Sequence, residues 1–216
     1  MWALKTEELR ELLDVNKTGV MGPRDQAAIA GAALWGVTAS ELALIEVGHV
    51  VASNGRLKQK WDLPAKVAFN GYARVLFTEH PRLNQLLDKY LNWRVKRGWG
   101  IKQHGKFRGL DPSSKLLLND KAQPFHFTGV KKGERRQPTG INLLFKKLIG
   151  KTDLADEGVT YGTFRKSFMT QLGQVGLSVR NIMAATGIRD YESVSRVVKS
   201  NPLTVEKAVT GLYDKL

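Results

Sequence analysis

Cysteine is absent from all 216 residues. That excludes disulfides, thiolate nucleophiles and Cys-based zinc sites. Histidine is scarce: His49, His80, His104 and His126 are scattered, and no two stand at metal-ligand spacing. No metal or other cofactor is expected. The longest apolar run, residues 27–37, contains glycine and is too short to cross a bilayer. No charged-then-apolar leader opens the chain, so a cytoplasmic protein with no membrane partner is expected. Internal repeats and low-complexity segments are lacking too. What is there is 42% hydrophobic and 25% charged, a composition and length suited to one globular domain with a substantial core.

Acidic residues are missing from one sector in particular. Residues 89–151 hold 16 Lys and Arg against three acids (Asp111, Asp120, Glu134), a surplus of 13 within a net charge of +14. Elsewhere 18 basic and 17 acidic residues nearly cancel. One strongly basic sector is the electrostatic footprint of a polyanion binder. A merely solubilising surface mixes the two signs. An anionic membrane is the poorer partner, because these cations interleave with Gly and Pro rather than following a helical period. Double-stranded DNA is the expected partner.

Periodicity predicts helices over residues 6–14, 24–35, 39–47, 81–97, 141–148, 160–173, 179–186 and 190–199, with a terminal amphipathic helix over 205–213. The last of these is suited to packing in cis or on a neighbouring protomer. Between them, residues 57–61 and 72–77 alternate or carry β-preferring side chains and predict two strands, with Asn70-Gly71 as a turn. Residues 99–110, WGIKQHGKFRGL, are basic and glycine-spaced. They read either as a loop that lets Lys102, Lys106 and Arg108 approach phosphates or as a loose connection. A second polar loop, residues 129–140, carries Lys131, Lys132, Arg135 and Arg136. The helix after it presents Lys146 and Lys147.

The stretch TYGTFRKSFMTQLGQVGLSVRNIMAATGIRDYESVSRVV, which begins at Thr160, resembles the C-terminal active-site block of the tyrosine recombinase (phage integrase) family. That block reads T-x-H-x-L-R-H-x-F, then a helix, then L-G-H, then a nucleophilic Tyr nine residues beyond that His. Arg165 falls on the Arg and Phe164 on its apolar predecessor. Gly162 falls on the first His, Lys166 on the second, Thr186-Gly187-Ile188 on L-G-H, and Val197 on the nucleophile. A second block, RDQAAIAGAALWGVTASELALIEV from Arg24, is similar to the family's segment ending in S-E-L, here Ser40, Glu41 and Leu42. Thr38 takes the place of the family's first catalytic Arg. LKTEELRELLD, from Leu4, resembles the helix that opens the family's catalytic domain.

The resemblance implies an α+β, mainly α fold with a small antiparallel sheet. It implies one catalytic-domain-like unit over 1–216, without the family's N-terminal core-binding domain. The family's hairpin carries a catalytic Lys. Lys66 is the candidate for that position, with Arg74 as a second cation on the hairpin. Family members cut DNA by attack of a Tyr hydroxyl on a phosphodiester, which needs an actual nucleophile. With Thr38, Gly162, Ile188 and Val197 at catalytic positions, the expected protein binds DNA without cutting it, as a regulator or accessory factor of a mobile element. Arg165 is expected to contact phosphate in the old hollow or to pair with Glu41 or another acid.

Two other readings stay open. An atypical integrase or relaxase would use a displaced Tyr: Tyr213, or Tyr191, which is otherwise expected to pack in the core before the last helix. A helix-turn-helix regulator would use residues 182–198, presenting Arg196 and Lys199 to DNA.

Overall fold

In the computed structural model, residues 3–102, 105–129 and 136–198 are described. The chain opens with α1 (Thr6–Val15), whose Leu12 and Leu13 are buried. The Glu8 carboxylate accepts the Lys5 amide at 2.7 Å and closes the first turn. The central element is α2 (Gly22–Trp35), which starts with Pro23 in its first turn and is buried nearly all round. Its Ala and Gly side chains are small, so neighbouring backbones approach closely. It packs against α1, against α3 (Ala39–Leu44), against α5 (Pro81–Lys96) and against α7 (Tyr161–Gln174).

The α2–α3 turn is fixed by Gly36 at φ +59°. A Cβ there would stand 2.2 Å from the Phe168 ring, so both the backbone angle and the space demand glycine. Thr38 then caps α3: its hydroxyl accepts the Glu41 amide, and the Glu41 carboxylate accepts the Thr38 amide, a reciprocal capping box. The helix is shorter than its hydrophobic pattern predicts. Ile45 leaves helical geometry at ψ 134°, and a single turn, α4 (Val47–Val50), follows.

β1 (Lys60–Leu63) pairs antiparallel with β2 (Arg74–Phe77), with Lys60 opposite Phe77. Both strands start later than the sequence pattern predicts. Leu57 forms a lone bridge with Val51, and the Lys58 amide donates to the Val50 carbonyl, so these residues are tied to α4 instead. The C-terminal half adds α6 (Thr139–Ile149), α8 (Val179–Thr186) and the short α9 (Tyr191–Ser195). The predicted helix over 190–199 therefore has Asp190 as its cap, whose carboxylate accepts the Ser193 amide.

The basic stretch after α5 is anchored rather than loose. Arg94 is fully buried, and its guanidinium donates to the carbonyls of Trp99, Lys115 and Leu116 and to the Ser114 hydroxyl. Leu116, Leu117 and Leu118 are buried beside it. One large apolar core joins α1 to α7. A second, small cluster of Met169, Ile182 and Val194 holds α8 and α9 onto α7. Among the described residues no helix is long and apolar enough to cross a membrane.

Candidate functional site

Arg165 lies on the second turn of α7. It is positioned by Phe164, which is fully buried edge-on against Phe145 with ring centroids 5.2 Å apart. Across from it, Glu41 on α3 is completely buried, and its carboxylate is saturated. Oε1 accepts from Arg74 Nη1 (2.6 Å) and from the Phe69 amide (3.0 Å). Oε2 accepts from Arg74 Nη2 (2.8 Å) and from the Thr38 amide (2.7 Å). Burial alone would raise this carboxyl's pKa. The paired Arg74 guanidinium and the two amides outweigh burial and hold it below its ordinary value.

A carboxylate has about four acceptor positions. All are used, so the alternative in which Arg165 pairs with Glu41 is not realised. Arg165 instead donates Nη2 to the Thr186 carbonyl at 2.6 Å and lies 4.5 Å from the centroid of the Phe69 ring. Burial lowers its pKa to about 10, with the Glu41 charge acting in the opposite direction. The Nε atoms of Arg165 and Arg74 are both buried and have no hydrogen-bond partner among the described residues.

The floor of this hollow is the end of α8. Gly187 closes that helix at φ +74°, and a Cβ there would come 3.3 Å from Arg74 Nη1. Tyr161, at the start of α7, donates its hydroxyl to the Val37 carbonyl at 3.1 Å. Burial raises its pKa well above the ordinary tyrosine value, so the hydroxyl stays protonated as a buried donor.

The sequence-predicted residues separate into three groups. Arg74, Arg165, Glu41 and Thr38 are brought together as described, but Arg74 is buried in its ion pair rather than displayed on the hairpin. Lys66, Lys102, Lys106, Arg136, Lys146, Lys147 and Lys166 are exposed. Lys66 lies within electrostatic reach of Glu46 and His49, and Lys102 stands 3.9 Å from Asp111. Arg108 is half-buried: it bonds the Gly55 carbonyl at 2.6 Å and Asp88 at 2.7 Å, and so ties α5 to the loop before β1. Lys131, Lys132, Arg135, Lys199 and Tyr213 lie outside the described residues.

Gly162 is exposed with room for a side chain, since a Cβ would meet only Thr160 Oγ1 at 3.7 Å. Ile188 and Val197 pack onto the small cluster of α7, α8 and α9. Tyr191 is 56% exposed at the start of α9, which corrects the expectation that it packs in the core. Its place on the first turn turns the ring to solvent, and Val194 takes the buried position.

Four residues of the site carry no strong sequence signal. Phe69 covers Arg165, Asn70 donates to the Gly187 carbonyl at 2.6 Å, and Arg189 lies 3.4 Å from the centroid of the Tyr72 ring. The available hint is two aromatic residues flanking Asn70-Gly71 in a loop otherwise made mostly of small apolar residues. A separate apolar cavity of about 900 Å³ lies between α1, α2, β2 and α7 and takes none of these groups.

No protein-family profile matches this sequence, and no curated protein does. The likeness is three-dimensional. The crystal structure of XerA recombinase superposes with a TM-score of 0.66 at 16% identity, over 97% of this chain and 64% of that one. XerH site-specific recombinase, bound to its difH substrate before cleavage, gives 0.63 at 16% identity, over 99% and 55%. The Tn1549 transposon integrase in complex with transposon right-end DNA gives 0.66 at 13% identity, over 98% and 66%.

The fold is that of a tyrosine-recombinase catalytic domain.

The chain thus matches these neighbours almost throughout while spanning about two thirds of their length or less. The mainly helical fold with a two-stranded antiparallel sheet, expected from the sequence, is the one observed.

Proposed function

We propose that this chain is a DNA-binding protein that uses the recombinase fold to grip duplex phosphates and does not cut them, in the manner of a regulator or accessory factor of a mobile element. The observation that carries the binding half is a single sector with a charge surplus of 13 on a fold whose solved neighbours include DNA complexes. Lys66, Lys102, Lys106, Arg136, Lys146, Lys147 and Lys166 supply exposed charge, and Lys131, Lys132 and Arg135 add to it from outside the described residues. Arg165 is the group suited to a phosphate inside the hollow. In this reading Arg74 acts beneath the surface by fixing Glu41, and Arg108 acts by fixing α5.

The non-cutting half is supported by what stands at the four aligned positions. Thr38 is committed to a helix cap, Gly162 has no side chain, and Ile188 and Val197 are apolar packing residues. None offers a nucleophile or a charge-stabilising donor. Loss of one such donor typically costs about 10²–10³ in rate, and without a nucleophile no covalent intermediate forms.

Gel-shift titration against duplex DNA tests the binding, and nicked suicide substrates test the chemistry. Salt-sensitive binding with no covalent protein–DNA adduct is expected. A second reading, cleavage through a displaced Tyr, is favoured by the exposed ring of Tyr191. An adduct abolished by Tyr191→Phe or Tyr213→Phe would establish it in place of the first.

A further inference from the structure

The ten residues between β1 and β2 lie across the elements that line the hollow. Phe69 donates its amide to Glu41 on α3 and lays its ring on the Arg165 guanidinium of α7. Asn70 reaches the carbonyl of Gly187 at the end of α8 with a 2.6 Å hydrogen bond. Tyr72 stacks with Arg189, just beyond α8. Three separate parts of the chain are therefore held by one short segment, and Arg165 lies beneath it.

The segment is attached but only partly buried: Ala68 belongs to the core, whereas Phe69 is 39% exposed and Tyr72 54%, so a good part of each ring stays in water. The exposed Tyr72–Arg189 contact and the single Asn70–Gly187 hydrogen bond are each weak, and the Phe69 amide on the buried Glu41 carboxylate is the firmest fastening. Below the segment, the Nε–H groups of Arg165 and Arg74 have no partner among the described residues, so charge-bearing donors are held back from the surface. A cover held firmly at Phe69 and weakly at Asn70 and Tyr72, over two guanidinium Nε donors without partners among the described residues, is the arrangement of a closed state able to open.

We propose that residues 69–72 form a displaceable strap that covers the half-buried Arg165 in the unbound protein, and that a phosphodiester must lift Phe69 to reach its full guanidinium. The segment's closure is read from the contacts alone. What lifts it rests on the DNA-binding reading above. An apparent affinity is reduced by the fraction of molecules that are closed, so loosening the strap should tighten DNA binding.

Asn70→Ala is the informative variant, because Asn70 fastens the strap without touching Arg165. In the absence of DNA, the arginine reagent phenylglyoxal with peptide mapping reads the exposure of Arg165, with Arg196 as an exposed internal standard. Arg165 should react several-fold faster in N70A than in the wild type, with Arg196 unchanged. Equal rates in the two proteins overturn the strap. In gel shifts, N70A should bind duplex roughly tenfold more tightly, about one hydrogen bond's worth. That gain should vanish when Arg165→Gln is added. Unchanged or weaker binding by N70A, or a gain that survives R165Q, also overturns it.

Should N70A fold poorly, hydrogen exchange on the wild-type protein decides instead. The Phe69 amide should exchange faster when duplex is added, and slower or unchanged exchange overturns the proposal. If neither protein binds duplex at low salt, the DNA reading fails, while the phenylglyoxal comparison still judges the closure itself.

Discussion

Glu41 accepts four hydrogen bonds while wholly buried, and both Nη atoms of Arg74 are among its donors. Removing one member of such a pair leaves an uncompensated buried charge. Glu41→Gln is therefore expected to destabilise the fold by about 3 kcal/mol, measured by urea unfolding. The pH dependence has a definite sign. The folded pKa of Glu41 is lowered from an ordinary 4.5, so its stabilisation is present in full above that value. It is lost as pH falls from there through the lowered folded value. Wild-type stability should decline through that acid range, and in E41Q the share due to this residue should be missing. Arg74→Lys should not substitute, because a point-charge ammonium cannot occupy both carboxylate oxygens as the guanidinium fork does.

Among the elements, α3 and the turn before it carry the strictest local demands. Thr38→Ala removes the side-chain half of the capping box and should cost about 1 kcal/mol. Gly36→Ala should cost more, roughly 2 kcal/mol, because a left-handed backbone and a clash with the Phe168 ring act together. Both changes are read as shifts in the midpoint of thermal or urea unfolding. Arg94 plays the same part for the basic stretch after α5. With Arg94→Met, four acceptors lose their donor, and hydrogen exchange over residues 99–116 should quicken before the rest of the chain loosens.

For the whole molecule, the uneven charge sets the expectation. If about six phosphates are neutralised, affinity for duplex should fall by roughly 10³ between about 50 and 200 mM salt. Charge reversal at Lys146 and Lys147 should flatten that dependence while leaving stability within about 0.5 kcal/mol, since both side chains are exposed. A salt-independent interaction would contradict phosphate-led binding.

Local signals were enough for much of this protein. Apolar spacing located α2, α5, α7 and α8, and the Arg165 and Ser-Glu-Leu blocks pointed to the fold, because each of these depends on residues a few positions apart. The basic sector, too, needs only counting. Partner choice in the hollow was not legible. Whether Arg74 or Arg165 pairs with Glu41 depends on which guanidinium the packing of β2 and α7 brings within 3 Å of a carboxylate with four acceptor sites. The strap over Arg165 likewise joins positions 28 and 117 residues apart in sequence. Helix periods and turn residues are properties of neighbours along the chain, whereas burial, saturation and stacking are properties of neighbours in space, and only the tertiary structure fixes those.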